Sequence, residues 1–236
     1  MNTGCFITPA AVCRLDAPLL AAAAQPCAPR RVWLALLAML MSASWLYGAS
    51  FGLWHSPAQA ALSALKMPLL LLGVAVIAAA ANTLLAQALG VRLTLAQTCL
   101  AMLLGMTITA LLLAAVSPVF TFLALALPGP AAPDAARIYA RLLPLHTLAV
   151  GAAGLVGVSR LLRLLVALLG DARTARRLLA LWIAVCGLAG SELAWVASPF
   201  LNRPGEPPQL LNPNAFRMNM YEYLWALTLH PQTLPR

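Results

Sequence analysis

Charge is scarce in this chain. Only 9% of its 236 residues are charged, against roughly 25% in soluble globular proteins. That shortage excludes a surface that water alone could cover. Lysine is scarcer still: Lys66 is the only one, and the other basic side chains are arginine. Together with the abundance of Ala and Leu, this points to a high-GC bacterial source. Histidine occurs three times, at His55, His146 and His230. His55 and His230 fall outside the apolar runs, so no opposing axial pair exists for a haem or pigment, and no cofactor is expected. The five cysteines, Cys5, Cys13, Cys27, Cys99 and Cys186, are odd in number and form no C-x-x-C pair. They read as small buried hydrophobes, and no metal site is expected. P-loops, G-x-S-x-G elbows and paired catalytic carboxylates are missing. No Ser–His or Asp–Asp set can be assembled at one depth for intramembrane proteolysis. The sequence therefore gives no ground for an enzyme.

What is present is apolar. Hydrophobic residues make up 62% of the chain, and several runs exceed the ~18 residues that mark a membrane-span candidate. The pattern predicts an all-α fold, a polytopic bundle of about five transmembrane helices with short interfacial helices. The spans are read at Val32–Leu53, Leu69–Leu89, Leu93–Val116, Leu142–Val166 and Leu178–Val196. Ser56 and Pro57 signal a helix start, and Pro68 is expected to close a short interfacial helix over 57–66. Pro118 is expected to bend or end the third span. The run PGPAAPDAA over 128–136 reads as a loop. Residues 1–31 form a non-spanning leader, without the positive n-region of a signal peptide. Residues 32–198 form the membrane domain. Residues 199–236 form a Pro-rich, aromatic tail on the outer side.

The formal net charge of +9 is not arranged as a nucleic-acid site. Its arginines gather at the ends of apolar runs, where they set orientation and attract anionic lipid headgroups. With the N-terminus in the cytoplasm, nine basic residues lie inside and six outside. The short, basic linker GDARTARR carries most of that bias. The expected location is a bacterial inner membrane, multi-pass, with the C-terminus outside.

Each span carries small residues at spacing four, which lets helices approach closely: Ser44, Gly48 and Gly52; Ala75 and Ala79; Ala101, Gly105 and Thr109; Ala149, Ala153 and Gly157; Cys186, Gly190 and Ala194. Five such stripes favour a compact bundle. Polar residues inside the spans are the candidate sites. Glu192 lies about fourteen residues into the fifth span, ~21 Å from its inner end. His146 lies at similar depth on the fourth. The two are expected to meet, with Arg141 as a rival partner for Glu192. Such a pair acts as a proton-labile or ion-binding site, as a hydrogen-bonded clamp, or, with Glu192 neutral, as plain packing. A contact of Glu192 with another subunit is the third reading. Asn82, mid-membrane, is expected to hydrogen-bond another helix. Arg160 and Arg163 are placed to snorkel towards lipid headgroups. In the tail, Phe200, Phe216, Tyr221, Tyr223 and Trp225 accompany a proline-rich stretch suited to docking a partner.

The run ALKMPLLLLGVAVIAAAANTLLAQALGVRLTLAQTCLAMLLG resembles the second and third spans of bacterial Yip-type membrane proteins. SELAWVASPF followed by NMYEYLW is similar to the ends of uncharacterised bacterial multi-span proteins. The resemblance implies a non-enzymatic membrane organiser. The expected function is a non-catalytic integral subunit or scaffold of an inner-membrane complex. The alternative is a small proton-coupled transporter or channel using Glu192. Membrane lipids and other membrane subunits are the expected partners, and nucleic acid is not.

Overall fold

The computed structural model describes residues 7–215 and 217–229. The described residues are helical, with no strands. Two short helices, α1 (Pro9–Arg14) and α2 (Ala17–Ala24), precede five long ones: α3 (Arg30–Gly52), α4 (Pro57–Ala88), α5 (Leu95–Ala126), α6 (Ala135–Leu169) and α7 (Ala172–Ala197). A terminal helix, α8 (Met220–Leu229), follows an extended tail. All five long helices are long and apolar enough to cross a membrane. The chain is a multi-pass membrane protein, and with five spans the start of α3 and the end of α7 lie on opposite faces, here termed the leader face and the tail face.

Four spans run longer than expected. The 57–66 helix and the second span are one 32-residue helix that carries straight through Pro68. Likewise α5 passes Pro118 and α6 passes Pro144. Proline costs a helix one backbone bond, but in a packed membrane bundle neighbouring groups can re-satisfy the freed carbonyl. Beside Pro68, α4 is packed closely on α3. A methyl group at Gly48 would collide with the Ser63 carbonyl, and one at Gly52 with Gln59. Helices this close hold each other's backbones in line. At 1.5 Å per residue, α4 and α5 reach about 48 Å, well beyond the ~30 Å hydrocarbon layer, so both extend past it.

The small stripes work as expected on four spans. Gly48 and Gly52 seat α3 on α4, Gly157 seats α6 on Gly105 and Thr109 of α5, and Gly190 of α7 faces Val74 of α4. The helix starts obey local rules. Ser56 Oγ accepts from Gln59 N at 3.1 Å with Pro57 behind it, and Thr94 forms a reciprocal capping box with Gln97. Among the spans α7 is peripheral: 11% of its most apolar stretch is buried, against 50% for α5.

The leader is part of the fold. Val12, Leu15, Leu19 and Ala23 are buried in the same apolar cluster as Leu100, Leu104, Leu165 and Leu178, with α1 packed on α5 and α2 on α5 and α6. Gln97 Nε2 donates to Ala24 O at 3.1 Å, and Thr94 Oγ1 to Pro26 O at 3.2 Å. An apolar segment that would fray in water is thus pinned as a plug across the leader face.

Candidate functional site

The tail face holds most of the buried polar groups. On α4, Gln59, Ser63 and Lys66 fall at spacings of four and three, and so share one helical face. They are 0%, 0% and 4% exposed. A face this polar inside a membrane bundle must meet acceptors or pay the full desolvation cost. It meets the backbone of the tail. Gln59 Nε2 donates to Pro199 O at 2.9 Å and to Phe200 O at 3.3 Å. Ser63 Oγ donates to Phe200 O at 2.6 Å. Lys66 Nζ donates to Pro199 O at 2.9 Å and Gln209 O at 2.6 Å. In return, Gln209 N donates to Gln59 Oε1 at 3.2 Å. The Lys66 ammonium also lies 5.7 Å from the Phe200 ring centroid, within cation–π range. The only lysine of the chain therefore donates to backbone carbonyls of the tail. His55 extends the same seam, with Nε2 3.1 Å from Glu206 O.

Beneath this clamp lies an aromatic nest. His146 of α6 is 2% exposed. Its ring is stacked on Phe120 of α5 (centroids 3.9 Å, 17°) and tilted against Phe51 of α3 (3.9 Å, 39°). Tyr47 Oη lies 3.0 Å from His146 Nδ1. Phe200 closes the nest by packing edge-on against Phe51 at 5.8 Å. Histidine here joins three spans and the tail.

The expected meeting of Glu192 and His146 does not form; each holds another partner. Glu192 Oε2 accepts from Met220 N at 3.3 Å, and Oε1 is buried with no hydrogen-bond partner. Met220 opens α8, so a carboxylate faces the positive end of a helix, where it is favoured. The α8 start is further closed by reciprocal bonds between Asn219 and Glu222, both 2.8 Å. Ser191 Oγ and Tyr221 Oη are 2.6 Å apart, and Trp195 Nε1 donates to Met218 O at 3.0 Å. Glu192 thus belongs to a three-point dock that sets α8 against α7. Periodicity placed Glu192 and His146 at one depth, but depth does not fix which way a side chain turns.

Asn82 does bridge helices. Nδ2 lies 3.3 Å from Met102 Sδ on α5 and 3.8 Å from Cys186 Sγ on α7. Its carbonyl accepts from Trp182 Nε1 at 3.0 Å. Its own Oδ1 is buried without a partner. At the leader face, Arg160 stands beside Cys13 of α1 with its Nε buried and unbonded, while Arg163 is exposed. Burial pushes the Cys13 thiol up from its ordinary value, and Arg160 opposes that push.

The tail aromatics divide. Phe200 is taken by Phe51 and Lys66, and Tyr223 is tilted against Trp195 at 4.7 Å. Tyr221 is 44% exposed and Trp225 68%. Phe216 lies outside the described residues. Sequence reasoning passed over Gln59, Ser63, Lys66 and Tyr47. The signal was available for the first three: a lone lysine two turns beyond a glutamine, with a serine between them on one face.

Among the described residues, no three His, Cys, Asp or Glu side chains gather as a metal site. No protein-family model, no curated protein and no solved structure matches the chain.

Proposed function

We propose that this protein is a non-catalytic integral subunit or scaffold of a bacterial inner-membrane assembly, oriented with its leader in the cytoplasm and its tail outside. The observation that carries this reading is the pre-ordered tail. Gln59, Ser63, Lys66 and Glu192 hold Pro199, Phe200, Gln209 and Met220 against the bundle, while Leu210, Leu211, Tyr221, Leu224 and Trp225 stay exposed. A partner that docks there meets apolar and aromatic area whose ordering entropy is already spent. The non-catalytic element of the reading rests on the intramembrane polar groups, which serve helix docking. Purification in mild detergent followed by native mass analysis tests it. A stoichiometric membrane partner is expected, and it should be lost from a Tyr221→Ala, Trp225→Ala double variant that still elutes as a folded chain. A lone monomer that also fails to crosslink in cells removes the idea.

One observation favours a second reading, a proton-coupled transporter: the orphaned Glu192 Oε1. On that reading Glu192→Gln abolishes proton-driven flux in proteoliposomes while the bundle stays folded. If flux is absent from the parent protein, or persists in the variant, the transporter reading fails. Arg163, exposed at the leader face, is our choice for contact with lipid headgroups.

A further inference from the structure

We propose that the leader face binds one zwitterionic aminophospholipid, its headgroup held between Asp16 and Arg31 in a cavity that α1, α2 and the start of α3 build together. The cavity has a volume of about 160 Å³. Sites for drug-sized ligands begin near ~300 Å³, so this one takes a small group. Its apolar wall follows from spacing: Pro18, Ala21 and Ala22 fall on one side of α2, and the buried Leu19 and Val32 complete it. Two opposite charges line the same cavity, Asp16 and Arg31, with the Gln25 amide as a further polar group. Both charged side chains are exposed, so a ligand can reach them.

Three arguments identify the ligand. The first is the conduct of Asp16. It stands at the N-cap of α2, where an aspartate ordinarily accepts from backbone N–H groups of the first turn. Asp171 does so at the start of α7, from Arg173 N and Thr174 N. Asp16 makes no such bond, and its residue lines the cavity. The second is charge. Among the described residues, Asp16 and Arg31 form no ion pair with each other or with any other side chain. Two unpaired opposite charges in one small cavity suit a ligand that carries both signs. A phosphodiester accepts from the guanidinium, and a primary ammonium donates to the carboxylate and to Gln25 Oε1. The third is position. Arg31 is the second residue of a membrane span, and Trp33 follows it, a side chain that settles at the membrane–water boundary. A headgroup enters at that level with its acyl chains still in the bilayer, which favours a lipid over a free zwitterion. Phosphatidylglycerol offers an anion but nothing for Asp16, and the cation of phosphatidylcholine has no N–H to donate. The cavity therefore selects phosphatidylethanolamine. The site stands apart from the tail and is independent of the subunit reading above.

The test is native mass analysis of the full chain in detergent, with phosphatidylethanolamine, phosphatidylcholine and phosphatidylglycerol of equal chain length added in turn. One retained phosphatidylethanolamine is expected, held about fivefold more tightly than either of the others, as one exposed charge pair implies. Asp16→Asn should abolish the preference over phosphatidylglycerol, and Arg31→Gln should weaken retention of both lipids. Helix content and elution volume verify that each variant is folded. Should a variant not fold, the native chain is offered the mono- and dimethylated ethanolamine lipids. Retention is expected to fall with each methyl group, as N–H donors to Asp16 are lost. Free phosphoethanolamine is the arm that separates the sources: if it competes with the lipid at equal concentration, the cavity holds a soluble zwitterion and the lipid assignment is overturned. Equal retention of the three lipids, or a preference unchanged by both variants or by methylation, overturns the site.

Discussion

The two faces of the bundle are closed by different physics. At the leader face the seal is apolar: Val12, Leu15 and Leu19 of the leader join the same buried cluster as Leu100, Leu165, Leu178 and the fully buried Trp182, with α1 packed on α5 and α2 on α5 and α6. At the tail face the seal is polar: Gln59, Ser63 and Lys66 are buried under the carbonyls of Pro199, Phe200 and Gln209. Apolar closure needs only shape, and many residues share the load. Polar closure needs each donor to find its acceptor, so few residues carry it. The first should yield gradually to substitution. The second should fail at single positions while the spans survive.

The largest expected effect lies on the apolar side. Trp182→Ala opens a cavity in the packed interior and loses the bond to Asn82 O, a cost of about 3–5 kcal/mol. Thermal unfolding in detergent should report it as a lower Tm for the whole bundle, with tail cleavage below that temperature unchanged. Lys66→Met comes next. It takes the charged donor from the Gln209 carbonyl and leaves Pro199 O to Gln59, and hydrogen bonds to a charged group are worth about 1.5–3 kcal/mol each. Protease cleavage within residues 203–211 should rise tenfold or more, with little change in the Tm of the spans. If Lys66→Met instead unfolds the spans, the two faces are not separable. Glu192→Gln is gentler, since the amide keeps an oxygen for Met220 N and loses only the charge facing α8. About 0.3–1 kcal/mol is expected, seen as a few-fold faster hydrogen exchange confined to α8.

The smallest effect is at the exposed start of α7. The Thr174 hydroxyl, then the Thr174 and Arg173 backbone N–H groups, hold the Asp171 carboxyl below its ordinary value. A folded-state pKa depressed in this way adds stability above the unfolded value. That contribution is lost as the pH falls through the folded one, so the window lies at or below pH ~4. Thr174→Val should raise the Asp171 midpoint in a carboxyl titration followed by NMR. An unmoved midpoint would assign the depression to the backbone alone.

The same contrast explains what could be read from residues. Apolar periodicity found all five spans, and small residues at spacing four marked Gly48, Gly157 and Gly190 as approach points. These signals are local or repeat along one helix. The helix through Pro68 was not legible, because its close approach to α3 is set by tertiary packing. Nor were the partners of Lys66 and Glu192. Lys66 binds backbone carbonyls 133 and 143 residues away, and Glu192 a backbone N–H 28 residues away. Every residue type carries those atoms, so no side chain advertises them. For His146, the error was to pair it with the nearest carboxylate in depth. Tyr47, one of four tyrosines, offered no charge to draw the eye.

The clamp also bears on biogenesis. Gln59, Ser63 and Lys66 emerge from the ribosome long before Pro199 and Gln209 exist to receive them. While α5, α6 and α7 are being synthesised, the start of α4 must stay hydrated or be shielded by the insertion machinery. A nascent chain halted after α7 would leave the Lys66 ammonium without the carbonyls that cover it in the finished fold.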